Sequence, residues 1–315
     1  MKVRLFFVGF WFLLGLPIAW AWKVEAPADT LPGHPFPLRI YTPLEIEEVA
    51  VTIRKGVDAE AIVEGKAFRV FIEEEKGEAL WVSLLGIPST APAGTYTVEL
   101  TGGRTLLTTL FSIRAREFLR EEIPLNYEMT RLRTEEDERK VQEWLELVRI
   151  LNQFQPDALY HVEPFQLPVE GFRRTSLFGD RRTFRYIDGS TDRSIHTGID
   201  FATPRGTPVK AAASGRVVFA GPRILTGNTI IIEHLPAVFS LYYHLDTIGV
   251  RSGQHVQRGE PIGTSGATGL VTGPHLHWEI RVGGIPVNPD AFLAGGPLDN
   301  FFQVRKTHLE TNERR

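Results

Sequence analysis

The stretch GPHLHWE, residues 273–279, carries two histidines that are one residue apart and continues into the apolar run IRV. This composition predicts a β-strand. Because successive side chains of a strand point to opposite faces, His275 and His277 share one face, and Leu276 and Trp278 share the other. The pattern predicts a polar, metal-binding side mounted on a sheet whose other side is packed. An HxH pair alone is also typical of hydrogen-bonded structural histidines.

A second motif, HTGID, places His196 four residues before Asp200. An extended strand would separate them by ~13 Å, which is too far for one metal ion with ligand bonds of ~2 Å. We therefore expect the chain to bend between them at Gly198. His196, Asp200 and one histidine of the HxH pair would supply three ligands and leave a fourth position for water, as in catalytic zinc sites.

The rest of the sequence limits which residues can bind a metal ion or transfer protons. The chain has no cysteine, so metal ligands must be nitrogen or oxygen atoms, and no HExxH motif occurs, which excludes the helix-borne zinc peptidases. His244, in the aromatic segment SLYYHL, is a candidate proton-transfer group. The remaining histidines are interpreted as ordinary surface or packing residues: His34, His161, His234, His255 and His308.

Composition and the first residues indicate the number of domains, the class of partner and the location of the protein. The chain has 315 residues, 43% of them hydrophobic, which predicts two globular domains. A net charge of -3 with no basic stripe argues against nucleic acid as a partner. Residues 1–21 place Lys2 and Arg4 before an apolar run, which predicts a signal peptide cleaved after Ala21. An uncleaved membrane anchor is the alternative, and either one predicts an extracytoplasmic protein in the periplasm, envelope or medium.

The pattern along the chain predicts a mainly β protein in several parts. Residues 22–115 alternate with period two, as in VAVTIR (49–54) and TYTVEL (95–100), and predict an immunoglobulin-like β-sandwich that serves as a spacer or docks an envelope protein. Residues 116–165 predict a helical linker. Residues 166–296 are glycine-rich and again β, and residues 297–315 form a polar tail.

Within the linker, the segment TEEDERKVQEWLELVRILNQF predicts one amphipathic helix that ends before Pro156. Thr134 and Asp137 have the spacing of a capping pair. The apolar stripe that contains Trp144 is expected to pack on a neighbouring domain.

From about Ser176 to Pro289 the chain resembles the lysostaphin-type zinc endopeptidases of the M23 family, which cleave peptidoglycan peptides. The blocks that carry the resemblance are SLFGDRR, HTGIDFATPRGTPVKAAASGRVVFAG, GNTIIIEH, YYHL, GQHVQRGEPIGTSGATG, TGPHLHWEI and VNP. The resemblance implies an antiparallel β peptidase domain with one Zn²⁺ per chain in a groove. It implies His196, Asp200 and His277 as zinc ligands, with His244 and His275 as unliganded catalytic histidines.

The resemblance thus implies an extracytoplasmic endopeptidase that hydrolyses peptidoglycan cross-links or bridges through a zinc-activated water. The alternative is a catalytically silent member that binds the cell wall or activates another hydrolase. The front domain could target the wall, dock a partner or block the groove. If it blocks the groove, removal of residues 22–160 is expected to raise the rate.

Overall fold

The computed structural model describes residues 3–7, 22–56, 59–73, 77–161 and 163–295. These residues form mainly β-strands with two α-helices, which confirms the prediction of a mainly β chain. The chain divides into two compact units, one ending at Arg116 and the other beginning at Glu117. The predicted signal segment lies outside the described residues except for 3–7, and so does the whole predicted tail. Neither helix within the described ranges is long and apolar enough to cross a membrane.

The first unit is built from two five-stranded sheets. Its strands are β1 (Val3–Phe7), β2 (Lys23–Pro27), β3 (Asp29–Thr30), β4 (Pro35–Pro43), β5 (Ala50–Arg54), β6 (Ala61–Lys66), β7 (Phe68–Glu73), β8 (Glu78–Gly86), β9 (Gly94–Gly102) and β10 (Thr105–Ile113). The sheets have the orders β1-β2-β4-β8-β7 and β3-β10-β9-β5-β6. Phe36 of one sheet packs on Phe111 of the other with ring centroids 4.3 Å apart, so the two sheets form a sandwich.

The period-two alternation predicted for this unit is confirmed in β5 and in part of β9, whereas β8 is buried over almost its whole length. In β5, Val51 and Ile53 are buried while the residues between them are partly exposed. In β9, Tyr96 and Val98 are fully buried, and the Tyr96 hydroxyl donates a hydrogen bond of 2.7 Å to the carbonyl of Pro92. Immunoglobulin-like sandwiches commonly contain a tyrosine whose hydroxyl forms a hydrogen bond with the backbone a few residues upstream. The immunoglobulin-like topology itself stays a prediction.

The predicted amphipathic helix is confirmed as α2 (Glu138–Leu151), which ends before Pro156, and another helix, α1 (Tyr127–Thr134), precedes it. The predicted capping pair is wrong. Thr134 ends α1 and donates its hydroxyl hydrogen bond to the carbonyl of Thr130. Asp137 is the N-cap of α2, where its carboxylate accepts a hydrogen bond from the amide of Arg139. An Asp that accepts from a free amide of the first turn is a favourable N-cap, so the helix is capped by Asp137 and not by Thr134 as predicted.

Helix α2 uses only the C-terminal end of the predicted apolar stripe for packing on the sheet. Trp144 is 59% exposed, whereas Ile150 and Leu151 are buried against β-strand residues of the second unit. The residues that they contact as one apolar cluster are Ile231, Phe239, Leu241 and Tyr243. The C-terminal turn of α2, which includes Leu151 at the end of the predicted stripe, therefore packs on the sheet.

The second unit contains a three-stranded and a ten-stranded sheet. Its strands are β11 (Arg120–Pro124), β12 (Arg174–Ser176), β13 (Arg181–Arg185), β14 (Thr191–Ile195), β15 (Gly198–Phe201), β16 (Pro208–Lys210), β17 (Gly215–Arg223), β18 (Gly227–Leu235), β19 (Val238–Ile248), β20 (His255–Val256), β21 (Pro261–Ser265), β22 (Leu276–Val282) and β23 (Ile285–Val287). The small sheet has the order β11-β13-β14. The large one has the order β12-β15-β22-β19-β18-β17-β20, with β16, β21 and β23 paired beside it.

The centre of the large sheet is the core of this unit. Strands β18, β19 and β22 are buried over most of their length, and Trp278 and Tyr242 are among the largest fully buried side chains. Strands buried on both faces carry near-continuous apolar sequence, as TIIIEHL and VFSLYYHL do here. These strands form the rigid part of the unit.

Residues 117–160 are part of the second unit and not a detachable linker. Strand β11 pairs with β13 in parallel over five residues, and α2 covers apolar residues of β18 and β19. A deletion of residues 22–160 would therefore remove part of this unit. A deletion that tests whether the front domain blocks the groove should end at Arg116.

We predict that Ile150→Ala destabilises the second unit by about 2–5 kcal/mol, because it leaves a cavity between α2 and the sheet. Val141→Ala on the same helix removes a side chain that is 54% exposed, and it should change stability by no more than about 0.5 kcal/mol. Urea unfolding followed by far-ultraviolet circular dichroism measures both. Equal effects of the two substitutions would contradict this docking of α2.

Candidate active site

The pairing of β15 with β22 sets the centre of the site. The register places Asp200 opposite His277 and Gly198 opposite Glu279. A Cβ atom on Gly198 would lie 2.3 Å from the carbonyl oxygen of Trp278 and 2.8 Å from His277 Nε2. Glycine is therefore needed here for the close approach of two strands.

The expected bend at Gly198 is wrong in its position. Strand β14 ends at Ile195 in the small sheet, and β15 begins at Gly198 in the large one, so the chain turns at His196 and Thr197. The amide of His196 donates a hydrogen bond of 2.9 Å to the carbonyl of Asp180. This turn carries the His196 side chain across to Asp200, which the spacing of four residues in one strand would not allow.

Three side-chain atoms converge at this point. His196 Nε2 lies 3.0 Å from His277 Nδ1 and 3.0 Å from Asp200 Oδ1, and His277 Nδ1 lies 2.8 Å from the same oxygen. All three residues are buried, with at most 6% of their surface exposed. Such a group of a carboxylate and two imidazoles matches the ligands that metal ions take in proteins.

Polar groups on the far sides of the two rings indicate which nitrogen carries the proton. His196 Nδ1 lies 2.8 Å from the carbonyl of Leu177, which can only accept, so Nδ1 carries the proton and Nε2 presents a lone pair. The other nitrogen of His277, Nε2, lies 3.6 Å from Glu279 Oε2, which favours a proton there and a lone pair on Nδ1. Two lone pairs and a carboxylate oxygen thus face one another, an arrangement that a cation stabilises.

The geometry fits a zinc ion. Zinc bonds of ~2.0–2.1 Å in a tetrahedron place ligand atoms ~3.3 Å apart, a few tenths of an ångström more than the spacings here. Nδ1 and Nε2 lie on different sides of the His277 ring. A small shift of this ring toward Glu279 would therefore lengthen the distances from Nδ1 to His196 Nε2 and to Asp200 Oδ1. The same shift would bring His277 Nε2, which is buried without a hydrogen-bond partner, into reach of Glu279.

Electrostatics around the cluster agree with this interpretation. Burial disfavours the charge on Asp200, but hydrogen bonds from His196 and His277 outweigh it and hold the pKa of Asp200 well below its usual range. Burial lowers the pKa of His196. Burial also acts to lower the pKa of His277, yet the carboxylates of Asp200 and Glu279 raise it to about 9. The cluster therefore attracts a positive charge, which is either a proton on His277 or a metal ion.

Glu279 is a buried carboxylate that holds the far side of His277. Its Oε2 accepts a hydrogen bond of 3.1 Å from the Thr197 hydroxyl, and its Oε1 pairs with Arg281 Nε. Burial acts to raise the pKa of Glu279, and the charges of Arg281 and His277 lower it below the usual value. Tyr243 stacks on the His277 ring with centroids 5.1 Å apart and an angle of 7°. The orientation of His277 is thereby fixed from two directions.

His275 and His244 flank the cluster without belonging to it. His275 directly precedes β22 and forms a bridge with Gly266, and its Nε2 lies 3.8 Å from Asp200 Oδ1. The His244 and His275 ring centroids are 4.8 Å apart. In each ring Nδ1 lies 2.8 Å from a backbone carbonyl, that of Thr268 for His244 and that of Gly273 for His275. Each Nε2 is left with a lone pair that can accept a proton.

A β-bulge aims His244 into the site. Two residues, Tyr243 and His244, stand opposite the single residue Thr229 of β18, and His244 has a left-handed backbone with φ of 61°. Bulges commonly redirect a side chain beside an active site, and a non-glycine residue in this region is strained. Burial and the neighbouring His275 and His277 lower the pKa of His244 to about 3.

The cluster opens into a groove of about 370 Å³ that lies within the second unit. Its apolar lining includes Ile123, Met129, Phe184, Leu270, Val271 and Pro274. Its charged lining includes Asp200, Glu121 and Arg182. Asp200, His277 and both flanking histidines are thus accessible from the groove.

Of the sequence-predicted residues, Asp200, His244, His275 and His277 line this groove. His196 is not part of the lining, but its Nε2 lies 3.0 Å from Asp200 Oδ1. Sequence reasoning left Glu279 out of the site, although its place two residues after His277 puts both on one strand face. The Arg181 guanidinium lies 4.3 Å from the centre of the Phe118 ring, while Arg182 donates a hydrogen bond to Asp200. Because side chains alternate along β13, these two arginines point to opposite faces of the strand. The fold, and not the sequence, shows which of the two faces lies toward the groove.

Comparisons with known proteins agree with this geometry. The family model described as Peptidase family M23 matches residues 194–289. The DD-carboxypeptidase/endopeptidase Mpg of Neisseria meningitidis serogroup B is 50% identical over 95 residues, which cover 30% of this chain and 22% of that protein. The peptidoglycan DD-endopeptidase ShyA of Vibrio cholerae serotype O1 is 50% identical over 123 residues, which cover 38% of this chain and 28% of that protein.

The matched stretch thus spans less than a third of either relative's length. A crystal structure from Pseudomonas aeruginosa that is assigned to peptidase M23 has a TM-score of 0.56 and 25% identity, and the match covers 84% of this chain and 94% of that one. The likeness to it extends beyond the stretch that the family model matches. Residues 194–289 of this chain belong to Peptidase family M23.

Proposed function

We propose that the protein is an extracytoplasmic zinc endopeptidase that hydrolyses peptide cross-links of peptidoglycan. The observation that carries the proposal is the convergence of His196 Nε2, Asp200 Oδ1 and His277 Nδ1 beside two further histidines in an open groove. The names of the relatives as DD-endopeptidases favour a bond between D-configured centres over a glycine bridge.

Zinc held by His196, Asp200 and His277 would polarise a carbonyl and lower the pKa of water to about 7. The flanking histidines would handle the protons. His244 and His275 are each fixed by a backbone carbonyl at Nδ1, so each can accept a proton at Nε2. One would take the proton of the attacking water, and the other would stabilise the developing oxyanion or protonate the leaving amine.

The apolar side of the groove would bind the peptide on both sides of the scissile bond. Val271 and Pro274 lie on one loop of the lining, and Met129 of α1 and Phe184 of β13 are also part of it. Holding the peptide against these residues would bring its carbonyl to the metal ligands and keep it oriented, which is how positioning lowers a barrier.

A catalytically silent protein that binds the wall or activates another hydrolase is the competing function. A regulator needs neither three metal-ligand atoms in a buried cluster nor a strained His244 directed into the groove. Strain at a functional side chain is costly, so its presence supports chemistry at this site. No observation on the described residues favours the silent alternative.

We predict that the purified full-length chain binds about one zinc ion and releases soluble peptides from peptidoglycan. His277→Ala should lose both properties because it removes a ligand. Zinc content by atomic emission and peptide release by mass spectrometry measure them, and the product masses identify the bond. His255→Ala, at an exposed histidine of β20, is the matched control and should retain both. Zinc-free wild-type protein, or full turnover by His277→Ala, would contradict the proposal.

We also predict that His244→Ala and His275→Ala keep their zinc and lose turnover. Loss of a proton-transfer group typically lowers kcat by about 10²–10⁴-fold. Neither histidine is one of the three proposed zinc ligands, so the zinc should stay bound. Zinc content and kcat on a soluble cross-linked peptide are measured side by side with His255→Ala. If either variant lost its zinc, that histidine would be a zinc ligand. Unchanged kcat in both variants would contradict the proton-transfer role.

A further inference from the structure

Arg182 lies between two carboxylates that come from different parts of the chain. Its Nε donates to Glu121 Oε1 at 2.5 Å, and its Nη2 donates to Asp200 Oδ2 at 2.9 Å. Glu121 and Arg182 stand opposite each other in the β11–β13 pair. The Arg182 side chain is 17% exposed. A guanidinium held by two carboxylates in this way is fixed in position.

The two oxygens of Asp200 have separate partners. Oδ1 faces His196 and His277, whereas Oδ2 accepts the hydrogen bond from Arg182. The carboxylate cannot turn about its axis without breaking this bond. Arg182 thus determines which oxygen is available to a metal ion in the cluster.

We propose that Arg182 is a positioning residue that keeps Asp200 a one-oxygen ligand, and that Glu121 anchors Arg182 in this role. The inference rests on the proposed zinc site. A carboxylate that binds through one oxygen leaves the fourth tetrahedral position for a reacting molecule, whereas a carboxylate that binds through two would crowd it.

The proposal extends the functional site beyond the matched peptidase stretch. Both Glu121 and Arg182 precede residue 194, where the family match begins. The small sheet β11-β13-β14 would then act through Arg182 on a ligand of the large sheet. Outer partners of a metal ligand of this kind tune geometry and activity without touching the ion.

Arg182→Met tests this, with Arg185→Met as a matched control. Arg185 lies on the same strand and pairs with Glu122 of β11, at a side chain that is 55% exposed. Each variant therefore removes one ion pair between β11 and β13, but only Arg182 contacts Asp200. The full-length chains are loaded with Co²⁺, whose visible absorption weakens when its coordination rises from four to five. Kinetics on the soluble cross-linked peptide are measured on the zinc-loaded chains.

The expected result is a weaker Co²⁺ absorption for Arg182→Met, because Asp200 can turn and offer both oxygens. Its kcat should fall by about 10–100-fold with KM little changed, while Arg185→Met matches the wild type. Arg182→Lys should recover part of the absorption, since an ammonium can donate to Oδ2 but cannot bridge both carboxylates. Glu121→Gln should shift the spectrum in the same direction by less.

Several outcomes overturn the proposal. If Arg182→Met has the absorption and kcat of Arg185→Met, Arg182 does not position Asp200. If KM rises and the absorption stays unchanged, Arg182 binds substrate instead. If Arg182→Met fails to fold, Glu121→Gln decides, and an unaltered spectrum and kcat in that variant count against the proposal. A wild type that binds neither Co²⁺ nor zinc overturns the zinc site itself, and this inference with it.

Discussion

The antiparallel pairing of β15 with β22 is the constraint on which the site depends. It places Asp200 directly opposite His277, and it needs Gly198 because any side chain there would collide with the carbonyl of Trp278. Since the side chains of a strand alternate, a slip by one residue would put Asp200 and His277 on opposite faces of the sheet. Leu276 and Trp278, on the opposite face of β22, are buried in the core and stabilise this register. The packing of the core therefore also determines the geometry of the site.

Around this pair, each functional side chain is held by a group that does no chemistry itself. Backbone carbonyls fix the tautomers of His196, His244 and His275, and Glu279 Oε2 lies 3.6 Å from the far nitrogen of His277. The result is a set of lone pairs that face one point before any ligand arrives. Preorganisation of this kind avoids the energetic cost of reorienting dipoles during the reaction.

Much of this arrangement could be predicted from the sequence, and the remainder has identifiable physical reasons. Alternation in β5 and β9 and the facing of His275 and His277 follow from the period of a strand. The bulge at His244 could not be predicted, because it depends on how β18 pairs with β19. Arg182 was missed because its partners are 61 residues before it and 18 residues after it along the chain. The N-cap of α2 was missed because Thr134 and Asp137 can both cap a helix, and Thr134 instead ends α1.

The central claim is that His196 Nε2, Asp200 Oδ1 and His277 Nδ1 hold one metal ion together. Anomalous diffraction at the zinc absorption edge, from crystals of the zinc-loaded full-length chain, tests it most directly. The account predicts one strong peak within bonding distance of these three atoms, with His277 bound through Nδ1 and its Nε2 directed at Glu279. A peak bonded to His275 in place of His277, a peak elsewhere, or no peak in this cluster would contradict it.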